Sequence, residues 1–333
     1  MLKSYLIYVV YGGILYAGMI FLYLLIARKL QLIDTPNARS SHQQVTITGA
    51  GFVFPIAFTL ALLLTGDFIH YRATLTGLLL LSLVSWSDDL KTVHPIVRVT
   101  VQVIAVSLLL WQTGGLFRMK AWQVLPAFIL VVGIINSYNF MDGINGMNAL
   151  YSISIFGIIF LIKLFGNLSI LPNELVFFSI LSSLFAFSFF NVRTKALCFS
   201  GDIGSISIAY IISLLIIQLM IATDSAHWIL LIGIYGLDSV GTIVLRLIRG
   251  EKVWLPHRTH FYQFLVNEKK YPHVLVSFIY AISQFILSII LWKCRLLFAL
   301  IFYIFLILVY VCARLSMEGK IRLFTNYFTQ TTE

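Results

Sequence analysis

The chain has 333 residues, of which 60% are hydrophobic and 11% are charged, and its mean hydropathy is +0.95. A soluble domain carries roughly a quarter charged residues, so this composition excludes a soluble globular protein and indicates a polytopic membrane protein. The net charge of +10 does not indicate a nucleic-acid partner. The basic residues border apolar runs, where anionic lipid or phosphate is the expected partner.

Eleven apolar runs are predicted to cross the membrane as helices in an all-α bundle that forms a single domain over residues 1–333. Most approach the roughly 20 residues that a spanning helix prefers. None shows the alternation that is typical of a membrane barrel. The predicted spans are 5–26, 49–65, 71–87, 96–113, 122–139, 147–165, 174–191, 206–222, 227–245, 273–292 and 296–314.

Basic residues are distributed unevenly between the two sides of this bundle. Alternate loops, beginning with 27–48, hold 16 of the 23 Lys and Arg residues. By the positive-inside rule these loops are cytoplasmic, which predicts an outer N-terminus and an inner C-terminus. Four polar segments, 87–91, 136–148, 199–205 and 255–263, then lie on the cytoplasmic side. Because acidic groups beside membrane spans are usually functional, we expect these segments to build one polar site.

The loop after the first span reads DTPNARSSHQQVTITGAG over residues 34–51. Its polar side chains could reach phosphate or sugar oxygens, although an ordinary connecting loop is an equally good interpretation. The side chains in question are Asn37, Arg39, Ser40, Ser41 and His42.

Two adjacent acids, Asp88 and Asp89, close the third span, and Arg98 follows one turn into the next. Neighbouring carboxylates repel each other when both are ionised, so they need a cation or a shared proton. One aspartate could take the proton of an acceptor phosphate or bind a metal, while Arg98 holds phosphate. The alternative is an acidic helix end that is solvated by the headgroup layer.

The segment NSYNFMDGINGMN repeats an amide or acid at every third position. In a helical turn this spacing would place the side chains along one face. They would present oxygen ligands of the kind that Mg²⁺ prefers. A polar turn whose residues cap helix ends is the alternative. The residues are Asn136, Asn139, Asp142, Asn145 and Asn148.

Asp202 lies between two glycines in FSGDIGS, before the eighth predicted span. Glycine allows a phosphate to approach the backbone, and a helix N-terminus favours an anion. Asp202 could instead be an ordinary N-cap. Phe199 could offer its ring to a nucleotide base or simply pack at the membrane interface.

The loop 246–272 is rich in basic residues and histidines. Such a cluster suits a diphosphate, which arginine can bind through two hydrogen bonds. The positive-inside signal alone would also explain it, and the HExxH motif of a metalloprotease is absent. The cluster comprises Arg246, Arg249, Lys252, His257, Arg258 and His260.

Taken in order, the motifs DxPNxRSSH, DD, NFMDGxxG, GDxGS and HRxH between residues 33 and 265 resemble those of the polyprenyl-phosphate N-acetylhexosamine-1-phosphate transferases. HRTHFYQ is similar to the branch that starts O-antigen or capsule repeat units. One departure is VTITGAG at 45–51, where many relatives have PTPRGGG, which leaves the substrate contacts of that loop open.

The resemblance implies a role for each matched residue. Mg²⁺, with Mn²⁺ as an alternative, would be bound by Asp202 with Asn139 or Asp142. The residues implied in catalysis are Asp88, Asp89, Asp142, Asp202 and His257. Those implied in substrate binding are Asn37, Ser41, His42, Arg98, Asn145, Phe199, Arg258 and His260, with Phe199 and Asn145 at the uracil.

The resemblance also implies the partners and the location. The substrates would be a UDP-N-acetylamino sugar, such as UDP-GlcNAc, UDP-FucNAc or UDP-QuiNAc, and undecaprenyl phosphate, within membrane lipid. The active site would face the cytoplasm from the bacterial inner membrane. The oligomeric state stays open, with a homodimer as one alternative.

Two other classes of membrane protein fit parts of this pattern. A secondary transporter or lipid flippase would place its ionisable groups near mid-membrane, whereas the acids of the motifs cluster at span ends. A CDP-alcohol phosphotransferase needs a DGxxAR array, and DGINGMN does not continue in that way.

Overall fold

A computed structural model describes residues 2–36, 41–42, 44–166, 168–253, 255 and 257–325. The described chain is almost entirely helical, which confirms the predicted all-α membrane bundle. The helices are α1 (Leu2–Leu30), α2 (Val53–Thr65), α3 (Arg72–Leu90), α4 (Pro95–Gln112), α5 (Gly115–Arg118), α6 (Ala121–Met141), α7 (Met147–Gly166), α8 (Glu174–Asn191), α9 (Gly201–Thr223), α10 (Gly233–Ile248), α11 (Phe261–Asn267), α12 (His273–Lys293), α13 (Leu296–Glu318) and α14 (Lys320–Phe324). Two 3-10 helices, Ala50–Phe52 and Ala226–Ile232, precede α2 and α10, and two short strands are β1 (Ile33–Asp34) and β2 (Thr46–Ile47).

Each of the eleven predicted spans coincides with a helix. Within the described residues, nine helical segments are long and apolar enough to cross a membrane. The stretch Ala50–Thr65 is apolar but shorter, and α3 is not among the nine. The count of eleven spans and the orientation of the termini therefore stay predictions.

Helix α9 lies at the centre of the bundle, where it packs against α2, α3, α6 and α7. Small and hydroxyl side chains allow this close packing, as is usual between membrane helices. The hydroxyl oxygens of Ser82 and Ser207 lie 2.9 Å apart, and Tyr210 donates to the Ala105 carbonyl at 2.8 Å. This packing brings the N-terminus of α9 against the C-terminal ends of α3 and α6.

The loop after α1 is bound to the segment that precedes α9. β1 and β2 pair in antiparallel fashion, and Ile47 bridges to Cys198. Further along, the Gly51 amide donates to the Ser200 carbonyl at 2.9 Å. A Cβ atom on Gly51 would lie 2.7 Å from that same carbonyl oxygen and closer still to Gly204. Only glycine permits the two backbones to approach in this way, so the segments 45–51 and 199–205 form one unit.

Candidate active site

A polar cavity of about 410 Å³ opens where α3 and α6 end and α9 begins. Each of the four polar segments contributes to its wall, together with the loop after α1. The structure thus brings together residues that are separated by as many as 230 positions, from Ile33 to Gln263. The polar and aromatic lining residues include Asp34, Ser41, His42, Asp88, Asp89, Asn139, Asp142, Phe199, Asp202 and Gln263.

Arg98 connects two of the carboxylates at this cavity. Its Nη1 lies 2.7 Å from Asp88 Oδ2, and its Nη2 lies 3.5 Å from Asp202 Oδ2. The other Asp88 oxygen accepts the Val93 amide at 2.7 Å. Both oxygens of Asp88 are therefore engaged. The Arg98 side chain remains 35% exposed, which leaves it accessible to an anionic ligand.

Asp89 caps the first turn of α9 from the neighbouring helix. Its two oxygens accept the amides of Asp202 at 2.9 Å and Ile203 at 3.2 Å. These amides are among the donors that a helix N-terminus leaves unpaired. Burial, with a further contribution from the charge of Asp202, raises the pKa of Asp89, which lies just beyond the predicted span 71–87.

Asp202 is not an N-cap, so that alternative is wrong. The predicted span began at 206, but α9 begins at Gly201 and contains Asp202 in its first turn. The helix can start early because Asp89 supplies the missing acceptors. The Asp202 carboxylate is left to face the cavity, where Asn139 donates to its Oδ1 at 2.7 Å.

Asp142 follows the last residue of α6 and accepts a hydrogen bond from the Ser200 hydroxyl. Burial raises the pKa of Asp142, and the charges of Asp202 and Asp89 add to the increase. The carboxylates of Asp89, Asp142 and Asp202 repel each other at this cavity when they are ionised, which favours a bound cation. Within the described chain, no group of three or more His, Cys, Asp or Glu side chains is arranged so that it could hold a metal ion.

The predicted single face of Asn and Asp residues at 136–148 is wrong. α6 ends at Met141 and α7 begins at Met147, so a turn interrupts the three-residue repeat. Asn136 donates to a glutamine of α4, and Asn148 accepts from a tyrosine hydroxyl of α10. Asn145 donates to backbone carbonyls at 193 and 194. Only Asn139 and Asp142 of the five line the carboxylate cavity.

A second cavity of about 400 Å³ adjoins the first and shares Ser41, His42 and Phe199 with it. Asn145 lies on its wall, so the two residues predicted at the uracil border the same space. The His42 ring meets the Phe199 ring edge-on, with centroids 4.8 Å apart. Asn37 of the same predicted loop lies outside the described residues, as do Arg39 and Ser40.

His257, Arg258 and His260 do not line the carboxylate cavity. The residue of their segment that does line it is Gln263. His260 is only 2% exposed, and its ring stacks on Phe140 with centroids 6.2 Å apart. Burial and the neighbouring His260 and Arg246 charges lower the pKa of His257. His257 is therefore neutral near pH 7 and can form hydrogen bonds but carries no charge. The side chain of Arg258 is exposed.

Several residues at the site were not predicted from the sequence. Ser200 stands next to Gly201 and bonds to Asp142. Asp34 lies 3.7 Å from His42 Nε2 and belongs to the DxPNxRSSH motif, which was the available signal. Gln263 is the last residue of HRTHFYQ, which was its available signal. Asn191 carried no signal, because a single amide at a helix end is common in any bundle.

The sequence is similar to those of known transferases. Residues 71–220 match the sequence model of glycosyl transferase family 4, a range that includes Asp88, Asp89, Asp142 and Asp202 but not Asp34. A probable undecaprenyl-phosphate N-acetylglucosaminyl 1-phosphate transferase of Bacillus subtilis (strain 168) is 24% identical over 327 residues, which cover 91% of this chain and 90% of the relative.

Two other relatives extend the comparison. An undecaprenyl-phosphate alpha-N-acetylglucosaminyl 1-phosphate transferase of Yersinia pestis is 26% identical, over 73% of this chain and 71% of the relative. A phospho-N-acetylmuramoyl-pentapeptide-transferase of Streptococcus thermophilus (strain CNRZ 1066) is 30% identical over 40% of this chain and 38% of its own. The family match and these relatives together support the resemblance of the chain to the polyprenyl-phosphate N-acetylhexosamine-1-phosphate transferases.

Proposed function

We propose that this protein transfers an N-acetylamino sugar 1-phosphate from a UDP-sugar to undecaprenyl phosphate. An oxygen of the lipid phosphate attacks the phosphorus that carries the sugar. The bond from that phosphorus to the bridging oxygen breaks, which gives undecaprenyl-diphospho-sugar and UMP. The observation that carries the proposal is the cavity lined by acids from the ends of α3 and α6 and the start of α9, with Arg98 beside them.

The donor set of this cavity fits Mg²⁺. Magnesium takes oxygen ligands, keeps several waters and is commonly held by one or two carboxylates together with substrate phosphates. Asp202 and Asp142 are the carboxylates that would hold it, with Asn139 placed against Asp202. A complete cage of three protein acids is not required for such a site. When bound, the ion would neutralise the diphosphate and stabilise the departing UMP.

Other residues at the two cavities would bind the substrates or hold the site in shape. Arg98 would bind phosphate, since its guanidinium already bridges two acids and remains partly exposed. Asp88, paired with Arg98, would orient that side chain, and Asp89 would keep the start of α9 in place. Phe199 and Asn145 border the second cavity, which suits the uridine of the donor.

The extent of the relatives supports the N-acetylglucosaminyl branch. The Bacillus subtilis transferase aligns with 91% of the chain, against 40% for the pentapeptide transferase. We therefore propose UDP-GlcNAc as the first donor to test, with UDP-FucNAc and UDP-QuiNAc as alternatives, and a role in starting an O-antigen, capsule or other envelope polysaccharide. The excess of basic residues beside the cavity-forming loops supports a site that faces the cytoplasm.

The test is transfer by the purified, detergent-solubilised protein. UMP release and formation of the lipid-linked sugar would be measured with undecaprenyl phosphate, a panel of UDP-N-acetylamino sugars, and added Mg²⁺ or EDTA. We expect stoichiometric UMP and lipid-linked sugar only with Mg²⁺ and the acceptor. The absence of UMP release with every donor, from protein that remains folded, would contradict the proposal and favour a transporter or flippase.

A further inference from the structure

Asp238 is an acidic residue inside the apolar run 227–245 and is only 1% exposed. Its Oδ1 accepts the Phe261 amide at 2.9 Å, and its Oδ2 accepts the Tyr262 amide at 3.2 Å. The Tyr280 hydroxyl also donates to Oδ2, at 2.7 Å. A carboxylate of α10 therefore holds the first turn of α11, which follows the HRTH segment directly.

Arg314 of α13 holds the other side of the same segment. It is 2% exposed, and its Nη2 donates to the Thr259 carbonyl at 3.0 Å. Its Nη1 donates to the Tyr310 hydroxyl at 2.8 Å, and that hydroxyl lies 3.3 Å from Asp238 Oδ1. The backbone on both sides of His260 is thus fixed by two buried charges that are linked through Tyr310.

The segment held in this way meets the end of α6. Tyr262 donates from its hydroxyl to the Phe140 carbonyl at 2.8 Å, and its ring abuts Gly143. Asp142 lies between these two contacts in the chain. The next residue, Gln263, lines the carboxylate cavity. A continuous series of contacts therefore leads from Asp238 and Arg314 to the candidate active site.

We propose that Asp238 and Arg314 are positioning residues that hold the segment 257–263 against the end of α6 and so set Gln263 and Asp142 at the cavity. Buried charges are costly inside a membrane protein and are retained where they serve function. Apolar residues could join α10 and α13 at least as well. A backbone held from both sides needs an acceptor for its amides and a donor for its carbonyl, which this pair supplies. The catalytic consequence rests on the proposed transferase function.

The experiment compares Asp238→Asn with Tyr280→Phe. The asparagine loses the charge and one of the two oxygens that accept amides from α11. Phenylalanine removes only the hydroxyl bond and leaves the amide bonds intact. Hydrogen exchange of residues 257–267 would be measured in detergent, together with kcat and KM for UDP-GlcNAc. We expect Asp238→Asn to raise the exchange rate of this segment and lower kcat 10- to 100-fold. Tyr280→Phe should change kcat by less than about threefold.

A double variant, Asp238→Asn with Arg314→Gln, keeps the test decisive if the single variant does not fold. It removes both charges, so neither Asp238 nor Arg314 leaves the other unpaired, and Glu318, which pairs with Arg314, keeps its ion pair with Arg322 at 3.5 Å. We expect it to fold and to retain the faster exchange and the lower kcat. Exchange at 257–267 equal to that of the unaltered protein, or full kcat in the double variant, would overturn the proposal. If the unaltered protein shows no transfer at all, the transferase function fails, while the exchange data still judge the positioning role.

Discussion

Replacing Asp202 by asparagine tests the proposed magnesium site most directly. Asparagine has nearly the same shape, and its Oδ1 can still accept the Asn139 amide that now lies 2.7 Å away. The ion pair with Arg98 is lost, but it spans 3.5 Å and is partly exposed, so its contribution to stability is below about 1 kcal/mol. The variant should therefore fold and melt within a few degrees of the unaltered protein.

The expected effect on activity is much larger. At 4 Å and an effective dielectric constant near 20, a carboxylate attracts a divalent cation by about 8 kcal/mol. Loss of Asp202 also relieves its repulsion with a neighbouring carboxylate, which is about 4 kcal/mol on the same scale. The remaining deficit of about 4 kcal/mol corresponds to a roughly thousandfold lower rate.

The assay is UMP release from UDP-GlcNAc with undecaprenyl phosphate over a titration of Mg²⁺. The matched control is Asp224→Asn, because Asp224 ends the same helix at the opposite end of the bundle and has a left-handed backbone that asparagine tolerates. We expect the control to keep full activity. An Asp202→Asn protein with unchanged activity and an unchanged requirement for Mg²⁺ would refute the reasoning.

Three further substitutions test the architecture of the site. Gly51→Ala should lower the free energy of unfolding by about 1–3 kcal/mol, because the added methyl group would lie 2.7 Å from a carbonyl oxygen. Gly13→Ala is the control, since its methyl group would meet open space, and equal melting temperatures for the two variants would contradict this packing. Arg98→Lys keeps the charge but loses the planar guanidinium and its paired donors, so kcat/KM should fall about tenfold with little change in melting temperature. Unaltered kinetics would show that Arg98 does not bind phosphate. Asp89→Asn should reduce stability by about 1–2 kcal/mol, since one of the two acceptors for the start of α9 is lost; a melting temperature equal to that of the unaltered protein would contradict the capping role.

The helices were largely predictable because spanning a membrane imposes a simple rule on composition. An apolar stretch of suitable length must satisfy its own backbone hydrogen bonds, and so it forms a helix. Boundaries were less predictable where another part of the chain supplies the missing partner. The start of α9 lies at Gly201 rather than at 206, since Asp89 of α3 accepts the amides of its first turn.

The side chains at 136–148 show a second limit of periodicity. Five residues at a constant spacing suggested one helical face. However, Gly146 adopts a positive φ of 85° within a turn, and the side chains on either side of this turn do not share a face. Asp238 shows a third limit. It stood in an apolar run as a single acid, and nothing in its neighbours indicated that α11 and Arg314 would complete its contacts.

The sequence by itself determined the class of protein, the approximate positions of the helices and the polar motifs from which the site is built. Each of these depends on local composition, which does not change when the chain folds. The resemblance of the motifs already placed Asn139 and Asp142 with Asp202. Tertiary structure alone decided that Asn136 and Asn148 bond to neighbouring helices and that the HRTH histidines are set back from the cavity. Contacts between distant segments depend on how helices pack and where backbones can approach, and this information is spread over the whole chain.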